Sequence, residues 1–366
     1  MYIFLFLFFV FLTWAVYYLS GRFIYFFDFS GKGWVYTIFS LSVVIMITGI
    51  IFSGNSTSIW GTLWYRVAAI IMGFLLYLLL SVAVTDLIRL FVNAPPRFFG
   101  YTALVMALLV CSYGFLNASH VRTVNITLPL QGLKEEIRIL HLSDLHLGHF
   151  RGEKFLRTVL EKAEKEKADA VCVTGDLFDG RKQMNERVFD VFRQVKIPVY
   201  FVEGNHELYT GAAEIKKRLR KAGVTVLENE KAAFRDLQVI GLRYLGGGKR
   251  FSGYGKKDTM AEMREALEAL RIEQEKPALL LHHSPGVYRT AAGYGIDLFL
   301  SGHTHGGQFF PFTIVAEWVH TYNRGLHDHK GMKIFVSQGA GTFGPPMRVG
   351  TRSEIAMIRM VPQENR

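Results

Sequence analysis

Apolar positions follow two different patterns along the chain. Up to Ser119 they run almost without interruption, in four stretches spanning about 1–19, 34–52, 63–84 and 101–116. Each approaches or reaches the roughly 20 apolar residues that a helix needs to cross a bilayer. Trp34, Trp60, Trp64 and Tyr65 stand at their ends, as in an interfacial aromatic belt, and Pro95 and Pro96 break the chain between the third and fourth. A cleaved leader does not account for the first stretch, which lacks a basic start and a small-residue cleavage site and is followed by three more. From His120 onward the periods shorten and charge appears. The sequence therefore divides into a transmembrane region, 1–119, and a second domain, 120–366.

The second domain alternates two signals. "EIRILHL", "DAVCVTG", "PVYFVEGN", "PALLLHH", "IDLFLSG", "KIFVSQG" and "EIAMIRMV" are short apolar runs of strand length, and "VTVLEN", "AAFRD" and "LQVIGLR" look like successive short strands. "KFLRTVLEKAEKEKA", with Phe155, Leu156, Val159, Leu160 and Ala163 on one face, "ERVFDVFRQV", "AAEIKKRLRKAG" and "AEMREALEALRIE" carry the helical period. This alternation predicts an α/β domain whose strands are buried on both faces.

Composition narrows the setting. Mean hydropathy is +0.20, aromatic content 14% and formal charge +11, which suits anionic lipid or a phosphate-bearing substrate. No basic stripe is interleaved with aromatic residues, so no nucleic-acid partner is expected. Cys111 and Cys172 both lie in apolar runs and imply no disulfide framework. Arg22 and Lys32 fall in the first connection and Arg89 and Arg97 in the third, against Arg66 in the second and Arg122 after the fourth. The positive-inside rule then puts the first and third connections in the cytoplasm and the second domain outside it, on a multi-pass protein of the cell membrane.

The chemistry gathers where strands end. "HLSDLHLG" brings Asp144 and His146, "TGDLFDG" Asp176 and Asp179, and "EGNHELY" Asn205, His206 and Glu207; "LHHSPG" brings His282 and His283, and "SGHTHGGQ" His303 and His305. Ligands of α/β sheets bind at the carboxyl ends of strands. Taken singly, Asp144 reads as a turn residue, Asp176 as a helix cap and "GNH" as a turn. Five such ends together read as one site. Imidazole and oxygen donors without thiolate suit Mn, Fe or Zn. Two such ions about 3.5–4 Å apart clamp an in-line displacement at phosphorus, and Asp176, with two oxygens, is the natural bridge. A histidine spared from the metals, such as His206, can protonate the leaving oxygen.

In the order "DLH", "GDLFD", "GNHE", "HHSP" and "GHTH", these blocks resemble the calcineurin-like metallophosphoesterase superfamily over about 136–361. The tail "GAGTFGPPMRVGTRSEI" with "GHTHGGQ" is similar to the bacterial membrane-associated branch. The resemblance implies a four-layer αββα sandwich after the four transmembrane helices, and two divalent ions. Asp144, His146, Asp176 and His305 would hold the first ion, and Asp176, Asn205, His283 and His303 the second. His283 is preferred to His282 because "HSP" supplies the family's H-x-P. His206 would be the general acid, Asp179 its partner, and Arg348 would approach substrate phosphate. His149, His327 and His329 are expected at the surface, and the basic, glycine-rich "YLGGGKRFSGYGKKD" in a mobile loop near the site.

The resulting expectation is a membrane-anchored hydrolase of phosphate mono- or diesters. A lipid-linked or UDP-linked pyrophosphate hydrolase, similar in role to those of lipid A synthesis, is the alternative and needs a cytoplasmic domain. A receptor or transporter with an inactive phosphoesterase domain is disfavoured because every ligand position is filled.

Overall fold

The computed structural model describes residues 2–244 and 256–363. The chain divides into two compact units, Met1–Asn117 with Gly344–Met347, and Ala118–Phe343 with Arg348–Arg366.

Among the described residues of the first unit, four helices are long and apolar enough to cross a membrane, with candidate spans Leu5–Phe27, Gly33–Ser53, Ile59–Ile88 and Pro96–Ser119. They are longer than the apolar stretches alone predict, because polar residues join their ends. Arg22, assigned to a connection from the sequence, lies within the first helix, where its Nε is 2.6 Å from Asp86 Oδ2 on the third. Asp86 also accepts from the Tyr18 hydroxyl at 2.6 Å and has Arg89 3.9 Å away. A carboxylate among apolar helices is thus paired, as the cost of burying a lone charge requires.

In the second unit the strands are β1 (Arg122–Leu130), β2 (Ile137–Leu142), β3 (Ala170–Thr174), β4 (Val199–Val202), β5 (Thr225–Val226), β6 (Glu230–Phe234), β7 (Leu237–Gly241), β8 (Ala278–Leu281), β9 (Leu298–Ser301), β10 (Gly325–His329), β11 (Met332–Val336) and β12 (Glu354–Pro362). Among the described residues they form two six-stranded mixed sheets, ordered β1-β12-β2-β3-β4-β5 and β10-β11-β9-β8-β7-β6. The strand alternation explains why both faces are dry. Ile137, Ile139, Cys172 and Val202 from one sheet meet Val239, Leu279, Leu281 and Leu300 from the other. The intervening Leu140, Leu142, Val171 and Val173 turn outward onto Leu156, Val159, Phe189, Ile215 and Leu219 of the helices Glu153–Lys165, Glu186–Arg193 and Ala212–Lys221. On the far side Ile240, Leu280, Phe299 and Ile334 pack on Met263, Leu267 and Tyr288. The result is the four-layer αββα sandwich.

The apolar pattern did not foreshadow β1, β10 or the helices Asn205–Thr210 and Phe312–Val319. Of the glycine-rich basic stretch expected as a loop near the site, residues 245–255 lie outside those described.

Candidate metal centre

The parallel runs β2-β3-β4 and β7-β8-β9 point their carboxyl ends the same way within each sheet. The chain leaves those ends in tight, strained turns. Asp144, His146, Asp176, His303 and His305 have φ of 50°, 46°, 50°, 73° and 51°. Non-glycine residues seldom adopt this left-handed region, and such strain concentrates at functional sites. Here it turns five side chains inward together. Two glycines make room: a Cβ on Gly302 would fall 2.2 Å from Asp144 Oδ2, and one on Gly204 2.2 Å from Asp176 Oδ1.

The donors fall into two sets of imidazoles with Asp176 between them. His146 Nε2 and His305 Nε2 are 3.0 Å apart, with Asp144 Oδ1 3.3 Å from the latter. His283 Nε2 lies 3.1 Å from both Asn205 Oδ1 and His303 Nδ1. Asp176 Oδ2 stands between these sets, 3.3 Å from His283 Nε2 and 3.7 Å from His146 Nε2. The ligand atoms of Asp144, His146 and His305 lie within 4.8 Å of one another, as do those of Asp144, Asp176 and His283, and of His146, Asp179 and His206. Of the doubled histidines, His283 enters the cluster. His282 Nδ1 turns to the Ser284 carbonyl at 2.8 Å.

The electrostatics suit cations. Burial holds His146 and His305 well below the usual imidazole range and lowers His303 to about 3, so these rings keep free lone pairs at neutral pH. Burial raises Asp144. It would raise Asp176 too, but His283, His206 and His146 outweigh it and hold that carboxyl well below the usual range. Burial would lower His283, yet Asp176 and Asp144 bring it to about 9, a proton that a cation would displace. Nitrogen and carboxylate donors converging without thiolate, with the His146 Nδ1 atom buried and unpartnered, fit divalent Mn, Fe or Zn.

His206 Nδ1 is 3.3 Å from Asp179 Oδ1, and its ring centroid is 4.7 Å from that of His146. Burial pushes His206 down, but the hydrogen bond to Asp179 and the charges of Asp176, Asp179 and Glu207 together raise it to about 9.

Arg348 does not reach outward to a substrate. It is fully buried, donating to the carbonyls of Gln338 at 2.5 Å, Gly341 at 2.7 Å, Gly339 at 3.1 Å and His305 at 3.3 Å. It braces the His305 turn because burial obliges a guanidinium to spend its donors on nearby carbonyls. His149 is buried rather than at the surface, and His327 and His329 are half-buried beside Tyr322.

Glu207 received no role from the sequence. Its Oε2 accepts from Gly204 N at 2.7 Å and Asp176 N at 2.9 Å, and its Oε1 from Leu177 N at 2.9 Å and Phe178 N at 3.2 Å. Burial and the Asp176 charge push this carboxyl up to about 7, against backbone N–H groups that favour the ionised form. One side chain therefore locks the Asp176 loop to the Asn205 loop. Glu207→Ala strands these buried donors, at about 1–3 kcal/mol for each group left unpaired. We expect a clearly lowered melting midpoint in detergent, and weaker metal retention; an unchanged midpoint would remove Glu207 from this role.

Fold and donor set together define a metallophosphoesterase. The family model for calcineurin-like phosphoesterases matches residues 137–307. A metallophosphoesterase of Aquifex aeolicus is 33% identical over 267 residues, which cover 71% of this chain and 99% of that protein. One from Helicobacter pylori is 33% identical over 238 residues, 64% of this chain and 62% of its own length. A Danio rerio transmembrane protein with a metallophosphoesterase domain is 31% identical over 281 residues, 70% of this chain and 61% of its own. The chain belongs to the calcineurin-like metallophosphoesterases, and its match spans a little over three-fifths of the last two relatives.

Proposed function

We propose that this protein is a membrane-anchored phosphoesterase that hydrolyses phosphate mono- or diesters at a dinuclear metal centre. The observation that carries the reading is Asp176, one carboxylate set between two groups of imidazoles. Asp144, His146, Asp176 and His305 would hold one ion, and Asp176, Asn205, His283 and His303 the other. Two such cations would activate water and neutralise charge growing on the phosphoryl oxygens. His206, held by Asp179 through Nδ1, keeps Nε2 toward the centre and donates its proton to the leaving oxygen. Asp144, Asp176, His146 and His283 are buried, whereas Asn205, His206 and His303 are half-buried, so substrate enters over the last three.

The full chain in detergent should contain two divalent ions per protein and cleave p-nitrophenyl phosphate or its diester. Chelation should abolish this, and Mn²⁺ should restore it. A folded, fully metallated protein inert on a panel of mono- and diesters would end the proposal.

We further propose that the catalytic domain lies outside the cytoplasm. The support is the charge asymmetry of Lys32, Arg89 and Arg97, with Arg22 inside the first helix towards the same end, against Arg122 and Arg66, the latter inside the third helix. A single cysteine replacing Lys134, whose side chain is 82% exposed, should react with an impermeant maleimide on intact cells. Reaction only after lysis would reverse the orientation and favour nucleotide-linked precursors as substrates.

A further inference from the structure

The helix Phe312–Val319 begins five residues after the last strand-end histidine loop closes on Gly307, yet it buries almost nothing. Thr313 is its buried residue. Phe312 is 48% exposed, Ile314 40%, Val315 48%, Trp318 84% and Val319 69%, and Phe310 just before it 46%. Single exposed apolar residues are ordinary, but a whole helix of them marks an interaction surface. Phe312, Val315 and Val319 fall along one helical stripe and Ile314 and Trp318 along the next. Its one charged residue, Glu317, is neutralised by Arg324 at 3.0 Å.

This surface is tied to the candidate metal centre. A Cβ on Gly307, two residues past His305, would lie 2.5 Å from the Phe312 carbonyl oxygen, so the helix starts hard against the histidine turn. Gln308 holds Phe343 by two hydrogen bonds, 2.8 Å from Phe343 N and 2.9 Å to its carbonyl. Phe343 is itself 52% exposed, with its ring 5.1 Å from that of His206 and 6.0 Å from that of His146. Exposed apolar side chains thus leave the same turn on both sides, one toward the helix and one toward the proposed acid.

We infer that Phe310–Val319 and Phe343 dock on the surface of a phospholipid bilayer, and that the ester cleaved here is carried by a lipid headgroup. The second part rests on the phosphoesterase reading above. The same chain carries four helices long and apolar enough to cross a membrane, and the last ends at Ser119, three residues before β1 begins. Three residues reach about 10 Å at most, so lipid would be close at hand. The docking helix has eight residues, about 12 Å, far too short to span, and it ends on a tryptophan and a valine. Such a helix lies in the interface with its apolar side chains about 5–10 Å deep. Its occupant is therefore lipid rather than a protein groove.

The test uses the full chain in phosphatidylcholine nanodiscs containing dioleoyl phosphatidic acid. The fluorescence of Trp318 is isolated as the difference between the parent and Trp318→Phe. Lipids brominated near the headgroup should quench that difference signal, and aqueous acrylamide should not. Quenching by acrylamide alone overturns the docking, and protection from both quenchers overturns it in favour of a protein contact. Trp318→Ser with Val319→Ser should slow phosphatidic acid hydrolysis by about tenfold or more while p-nitrophenyl phosphate turnover stays unchanged. Equal loss on both substrates, or no loss on either, overturns the lipid substrate, as does a parent that cleaves the soluble ester alone. A parent inert on every ester defeats the phosphoesterase reading instead, and the fluorescence result still decides the docking.

Discussion

Replacing Asp176 with asparagine should empty the metal centre and reduce hydrolysis by roughly three orders of magnitude or more, beyond the loss from one transition-state donor. The geometry explains why so small a change has so large an effect. Oδ1 accepts from the His206 backbone N–H at 2.8 Å, while Oδ2 faces His283 at 3.3 Å and His146 at 3.7 Å. Asparagine keeps one acceptor, so the loop survives, but an NH₂ group cannot offer a cation the second oxygen. Circular dichroism should report a folded protein, and elemental analysis a loss of bound metal alongside activity. An Asp176→Asn protein with full metal and full turnover would end the shared-carboxylate account.

His206→Ala should separate what Asp176→Asn joins. His206 reaches the centre only as a proton donor in our reading, so the variant should keep its metal. Turnover of esters with poor alkyl leaving groups should drop about 10²–10⁴-fold, the usual contribution of a general acid. Turnover of p-nitrophenyl esters should fall much less, because that leaving group departs without a proton. The pH profile gives a second measurement. The interactions with Asp179 and Asp176 raise His206 to about 9, so its acid form prevails at neutral pH and is lost as pH rises. Bound cations pull that value back down, which moves the alkaline limb toward neutrality. Alkyl ester hydrolysis should therefore decline on the alkaline side in the parent, and His206→Ala should lack that limb. Loss of metal in the variant would instead make His206 a ligand.

How much of this was legible follows from where the chemistry has to sit. Donors for a metal must leave strand ends in turns, so Asp176, Asn205 and His303 each follow a glycine that a reader can see, and the closely spaced motifs draw attention to one another. The sandwich was half legible. Alternating strands and helices give buried sheets, but nothing in Leu140 or Leu279 says that they belong to two sheets rather than one; the family resemblance supplied that. Glu207 escaped because its task is to accept backbone N–H groups from a loop some 30 residues away, and backbone donors leave no mark in a sequence. Arg348 misled for the opposite reason: an arginine in a glycine- and proline-rich tail reads as exposed, whereas tertiary packing has enclosed it. The helix Phe312–Val319 has the composition of a core element, and only the structure shows that its apolar side chains stay outside.

The position of β12 has a consequence for how the protein is made. That strand, Glu354–Pro362, lies between β1 and β2, parallel to the first and antiparallel to the second. Chains emerge from the ribosome N-terminus first. The two strands that flank this slot are therefore synthesised more than 200 residues before the strand that fills it. Until Pro362 has been made, β1 and β2 present unpaired edges, the kind of surface that invites association with other chains. The strand whose end supplies Asp144 gains its second neighbour last. A nascent chain should thus be unable to assemble the metal centre before β12 is made, which leaves the catalytic domain open to holding chaperones until then and sensitive to any truncation that removes that strand.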